Sequence, residues 1–177
     1  DRAYACLPRK GLLVIDRVWA AIGRVPMYRI VLYALAVLVG ASFVASAAVW
    51  LYYSPAELAA LLGVVLVVTL GVSRLAARIW RAESHDESSL ITALLLFFIL
   101  KPGLETGDLT AAAVGATAAA LSKFVIAWRG RHLLNPAAFG AFVVTVTGIG
   151  ASYWWIGSSV LVWVVVPVAA VVVIRLR

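Results

Sequence analysis

The chain is predicted to be an all-α, polytopic membrane helix bundle, and composition, apolar spacing and the distribution of basic residues predict it. Of its 177 residues, 64% are hydrophobic and 13% are charged, and the mean hydropathy is +1.04. A soluble domain runs near ~45–50% apolar and ~25% charged, and a chain of this size cannot hide such a surplus from water. Lipid removes the conflict. The net charge of +7 reads as membrane topology rather than nucleic-acid binding, because Lys and Arg collect in cytoplasmic loops. The single cysteine, Cys6, excludes an internal disulfide and any multi-cysteine metal or iron–sulfur site within one chain.

The elements follow in order. Residues 1–26 form a cytoplasmic or interfacial amphipathic segment, in which Leu12, Leu13, Ile15, Val18, Trp19 and Ile22 recur at helical spacing among basic residues. Residues 27–177 form the membrane domain. Its first span covers 30–52 and closes on the interfacial aromatics Trp50, Tyr52 and Tyr53. Ser54-Pro55 turns the chain into a second span, 57–73, whose helix extends into a stretch with Arg74, Arg78 and Arg81. After the polar run 83–89, a third apolar segment, 90–100, stops at Lys101-Pro102-Gly103. The fourth, 109–127, is rich in Ala and Gly, as closely packed membrane helices are. A loop through Gly130-Arg131-His132 leads to a short fifth segment, 137–149, and a sixth, 156–174, contains Pro167.

Charge counting orients these segments. With both termini cytoplasmic, fourteen of the fifteen basic residues lie inside and only Lys101 lies outside. The third and fifth segments are half-length against the ~20 residues that a spanning helix needs. Ser88-Ser89 and Asn135-Pro136 supply helix-start chemistry for them. Ser73-Arg74, Trp80-Arg81 and Ser88 are echoed by Ser122-Lys123, Trp128-Arg129 and Asn135. Each unit reads as a long helix going in, a basic-aromatic loop and a short helix going out. Paired, interrupted segments of this kind point to a binding site.

Two helix N-termini then face one cytoplasmic-side cavity, near Lys123, Arg131 and His132. Such a site suits an anionic or carbonyl-rich planar ligand: a phosphate, a quinone or a flavin. Each residue also has a purely structural role. Glu87 is a helix-start acid favoured by the dipole, and Ser88, Ser89 and Asn135 are caps. Thr92 bonds back to its own helix, Lys123 snorkels to the interface, and Arg131 and His132 are interfacial. His85 and His132 are the only histidines, and neither lies in a span, which speaks against haem. The sequence holds no nucleophile elbow and no Gly-rich nucleotide motif.

Glu87-Ser88-Ser89-Leu90-Ile91-Thr92-Ala93-Leu94-Leu95, then Ser122-Lys123, then Gly130-Arg131-His132-Leu133-Leu134-Asn135-Pro136-Ala137-Ala138-Phe139-Gly140, resembles one membrane family. It comprises a membrane subunit of the sodium-pumping NADH:quinone reductase and its counterpart in the Rnf electron-transport complex. Met27-Tyr28-Arg29 resembles a short branch whose membrane domain precedes a cytoplasmic FAD- and NAD(P)H-binding reductase module. The resemblance implies a multi-pass flavoprotein of a bacterial-type cell membrane, part of an NAD(P)H-dependent oxidoreductase. Its partners would be the lipid bilayer, a reductase module continuing after Arg177, and a quinone as acceptor; nucleic acid is not among them, and homo-oligomerisation is compatible. The implied cofactor is a noncovalent flavin, FMN or riboflavin, near the cytoplasmic face, contacted by Glu87, Ser88, Ser89, Thr92, Lys123, Arg131, His132 and Asn135. Larger relatives carry covalent FMN on a Ser-Gly-Ala-Thr motif. Here Val114-Gly115-Ala116-Thr117 departs at its first residue, lies in an apolar helix and lacks the upstream Asp. From a different class, a small-solute channel or transporter also uses paired short helices, and a plain membrane anchor would need no cofactor.

Overall fold

The computed structural model describes residues 27–81, 86–128, 131–132 and 134–176. The amphipathic segment 1–26, His85, and the side chains of Arg131 and His132 lie outside the described residues. The architecture is helical: α1 (Met27–Ala47), α2 (Pro55–Trp80), α3 (Asp86–Ile99), α4 (Thr106–Val125), α5 (Pro136–Thr147) and α6 (Val162–Leu176). A 3₁₀ turn, Trp155–Gly157, precedes α6. The stretch between α4 and α5 is more than an irregular loop. Ala127–Trp128 (β1) and Arg131–His132 (β2) pair antiparallel, with Ala127 opposite His132 and Trp128 opposite Arg131.

Among the described residues, α1 and α2 are long and apolar enough to cross a bilayer. α1 stops at Ala47, short of the expected residue 52. Val49 takes the left-handed conformation (φ 61°), the Trp50 N–H returns to the Ala45 carbonyl at 2.9 Å, and the Ser46 hydroxyl ties down the Tyr53 carbonyl at 2.6 Å. A β-branched residue at positive φ is strained, so the closing bonds hold a turn that Val49 alone disfavours. α2 then opens on a complete capping box. Ser54 accepts from the Glu57 N–H, Glu57 accepts from the Ser54 N–H at 2.7 Å, and Pro55 begins the helix. With 26 residues, α2 is about 39 Å long, enough to bring Arg74 to the edge of a ~30 Å hydrocarbon layer and to carry Arg78 beyond it.

α3 is the central helix. It packs against α1, α2, α4, α5 and the 3₁₀ turn, and Leu96, Phe97 and Phe98 are fully buried. Its 14 residues make about 21 Å of helix, and the 12 of α5 about 18 Å, so both fall short of a bilayer's width. Their C-terminal extensions solve the backbone problem together. Leu100 and Ser152 form an antiparallel bridge, the Tyr153 N–H donates to the Ile99 carbonyl at 2.8 Å, and the Lys101 N–H donates to the Ala151 carbonyl at 3.3 Å. Backbone groups that leave the helix inside a packed bundle are satisfied by one another in this way. Trp155 closes the same end, packed edge-on to Phe97 at 5.2 Å, with its indole N–H on the Phe97 carbonyl at 2.8 Å.

α4 and α5 are pressed together by glycine. A Cβ at Gly140 would run into the Gly115 carbonyl, and one at Gly115 would sit 2.9 Å from a Val144 methyl. Small residues at the contact permit this close backbone approach. The sixth element differs from expectation, since the helix begins at Val162 rather than 156. Trp155 and Ile156 are instead buried within the 3₁₀ turn against α3. α6 packs on α1 and that turn, and Trp163 is 82% exposed.

Candidate functional site

Two ion pairs draw three helix ends together. Arg29, at the start of α1, pairs with Glu87 at 2.8 Å, and Arg74, near the end of α2, pairs with Asp86 at 3.0 Å. Both acids occupy the first turn of α3, where the helix dipole favours negative charge. Trp80 stacks on Phe124 at 6.0 Å, joining the same ends of α2 and α4. This end of the bundle therefore carries Arg29, Arg74, Arg78, Arg81 and Lys123. The opposite end carries the aromatics Tyr52, Tyr53, Tyr153 and Trp154 with Lys101.

Lys123 is the buried member of the basic set, with 7% of its surface exposed. It lies in the last turn of α4 and reaches across to the first turns of α3. Its ammonium donates to the Ser88 carbonyl at 3.0 Å, to the Ser88 hydroxyl at 3.4 Å and to the Ser89 hydroxyl at 3.4 Å. The Ser88 carbonyl also accepts from the Thr92 hydroxyl at 2.8 Å. Lys123 thus does not snorkel outward; it turns inward onto neutral oxygens. Among the described residues no carboxylate pairs with it, since Asp86 and Glu87 are committed to Arg74 and Arg29.

The expected residues divide accordingly. Glu87, Ser88, Ser89, Thr92 and Lys123 are assembled at one locus. Ser88 and Ser89 are not caps, because α3 begins at Asp86 and both fall inside its first turns, where they accept from Lys123. Asn135 is a cap: its side-chain oxygen accepts from the Ala137 N–H at 3.0 Å and the Ala138 N–H at 3.5 Å, with Pro136 opening the helix. Arg131 and His132 place their backbone in β2. Thr117 bonds back to the Ala113 carbonyl at 2.8 Å within α4.

Sequence reasoning missed Thr69 and Ser73. Their hydroxyls are buried on α2 and have no hydrogen-bond partner among the described residues, whereas Ser42, Thr92, Thr117 and Thr145 bond back to their own helices. A stripe of buried residues at four-residue intervals, Leu61, Val65, Thr69, Ser73 and Ala77, was the available signal. Among the described residues no group of three or more His, Cys, Asp or Glu is placed to hold a metal ion.

Comparison with family models, with curated proteins and with solved structures finds no match.

Proposed function

We propose that the chain is the membrane domain of an electron-transfer flavoprotein, holding a noncovalent flavin near the cytoplasmic face. Electrons arrive from a cytoplasmic NAD(P)H-linked flavin reductase module and leave to a quinone or another membrane-side acceptor. The chemistry is the cofactor's, while the protein supplies position and local charge. In this reading the bundle has six membrane segments, two of them half-length, and both termini are cytoplasmic.

Lys123 carries the proposal. A buried ammonium held only by neutral oxygens is costly, and it is retained beside the first turn of α3 at the basic end of the bundle. The donor set suits the pyrimidine edge of a flavin, which presents carbonyl and ring-nitrogen acceptors: an ammonium and serine hydroxyls from α3, with the unpartnered hydroxyls of Thr69 and Ser73 on the neighbouring helix. The alternation of long and short helices, 26 and 14 residues and then 20 and 12, supports a repeated unit built around one site. Membrane insertion is supported by the outer surface. Only 22% of the apolar window of α1 and 28% of that of α2 are buried, and Val67 is 72% exposed in mid-helix, an arrangement that water penalises and lipid does not.

The test is a visible absorption spectrum of the detergent-purified chain, before and after incubation with riboflavin, FMN and FAD, followed by acid precipitation. A flavin band released into the supernatant by acid is the expected result. A protein that stays colourless throughout overturns the flavin reading. The two half-length helices then favour a small-solute transporter.

A further inference from the structure

We infer that Lys123 is the counter-ion of a bound anion at the first turn of α3, so that the site discriminates its ligand by negative charge. The inference deepens the flavin reading and rests on it for the identity of the ligand, but not for the charge.

The sign of the site follows from its parts. Asp86 and Glu87, the two acids of the α3 start, are each neutralised by an arginine. The positive end of the α3 dipole lies against the negative end of α4, whose last turn carries Lys123, so the two dipoles largely offset one another. What remains among the described residues is the Lys123 ammonium, 7% exposed and bonded only to uncharged Ser88 and Ser89 oxygens. A cation so buried without a charged partner is costly, and an anion seated beside it offsets that cost. The second observation is on α2. Ser73 lies one residue before Arg74, whose bond to Asp86 sets it level with the α3 start. Its hydroxyl and that of Thr69, one turn deeper, are buried without partners among the described residues, although helix hydroxyls elsewhere in this bundle bond back to their own carbonyls. Unsatisfied hydroxyls on a buried stripe are costly and are donors in reserve for an acceptor-rich ligand.

Two sources supply the negative charge. One is a phosphate group, free or on FMN. The other is the flavin ring, which on taking up two electrons and one proton gains one net negative charge on its N1–C2=O edge. In the second case Lys123 binds the reduced ring more tightly than the oxidised one and raises its potential.

The experiment uses the full chain in detergent, comparing wild type with Lys123→Met and Lys123→Arg, with Lys123→Gln carrying the same test should the Met variant aggregate. Affinities for oxidised riboflavin and FMN are measured alongside the midpoint potential of the bound flavin. With the ring as the anion, Lys123→Met weakens reduced-flavin binding about tenfold relative to oxidised, lowering a two-electron potential by about 30 mV, and Lys123→Arg retains the wild-type value. With phosphate as the anion, Lys123→Met weakens FMN about tenfold, leaves riboflavin unchanged and leaves the potential in place. Equal affinities and equal potentials in wild type and Lys123→Met overturn the inference. Should wild type take up no flavin, the flavin reading fails alone. Equilibrium dialysis with inorganic phosphate then decides the charge: binding by wild type that Lys123→Met abolishes upholds it, and no difference overturns it.

Discussion

The Lys123 ammonium lies 3.0 Å from the Ser88 carbonyl, 35 residues away along the chain. That bond crosses from the last turn of α4 to the first turn of α3, where the negative end of one helix dipole meets the positive end of the other. It is surrounded by commitments that leave it little freedom. The Thr92 hydroxyl donates to the same carbonyl, and the acids that precede it are held by arginines from α1 and α2. Removing the bond while keeping the charge therefore leaves an ammonium with few places to go.

The orientation of the bundle is testable through single cysteines in a Cys6→Ala background. Arg81→Cys sits at the basic end of the molecule and Tyr52→Cys, 97% exposed, at the aromatic end. In intact cells a membrane-impermeant maleimide is expected to label Tyr52→Cys and to reach Arg81→Cys only after permeabilisation. Labelling of both positions in intact cells, or the reverse pattern, refutes the cytoplasmic assignment of the basic end.

Gly140 sets the separation of α4 and α5, because its Cβ position is already taken by the Gly115 carbonyl. Gly140→Ala is expected to cost about 1–3 kcal/mol, as overpacking does, measured as a lower midpoint of thermal unfolding in detergent. Gly71→Ala, at a position with nothing within 4 Å, is the control and should lose no stability. Equal behaviour of the two variants would show that the helices separate freely.

Asn135 caps α5 with its side-chain oxygen. Asn135→Ala is expected to destabilise the protein by about 0.5–2 kcal/mol, and Asn135→Asp to preserve it. Chemical-denaturant curves in mild detergent give the comparison. If Asn135 contacts the ligand as well, both substitutions weaken flavin binding beyond their effect on stability, and a cap with no ligand contact leaves the Asp variant's affinity intact.

Trp155 joins the segment before α6 to the last turn of α3 through its indole N–H on the Phe97 carbonyl. Trp155→Phe keeps most of the ring packing and strands a buried acceptor, at an expected cost of about 1–3 kcal/mol. Trp155→Ala removes the ring and should cost about 3–5 kcal/mol. Trp154, 52% exposed, serves as the comparison, and Trp154→Phe should fall within about 0.5 kcal/mol of wild type. A ranking other than this one would displace Trp155 from the core.

Much of this architecture is legible in the chain itself. Local signals place Ser54-Pro55 at a helix start, stop α3 at Lys101-Pro102 and mark Asn135-Pro136 as a cap with its helix, because caps and breakers act through the nearest backbone. They also make α3 and α5 short. The differences have local causes of another kind. Glu87 reads as a helix-start acid and is one, while Asp86, read as part of the polar run, also lies in the first turn of α3, where arginines from α1 and α2 pair with both. The segment from 156 reads as helix by hydropathy, yet Trp155 and Ile156 dock onto α3 first and delay α6 to Val162.

What the amino-acid sequence determined by itself is the helical, apolar character of the chain, its basic end and the points where helices begin and break. Only the tertiary structure decided which faces meet: Arg29 with Glu87, Arg74 with Asp86, Lys123 with Ser88, Gly115 with Gly140. The reason is physical. In a soluble helix a contrast of apolar and polar faces announces the buried side. In an apolar bundle the lipid-facing and the protein-facing sides are equally hydrophobic, so the rotation of each helix is set by close packing and a few polar contacts. Those depend on residues far apart in the chain, and periodicity along a single helix does not encode them.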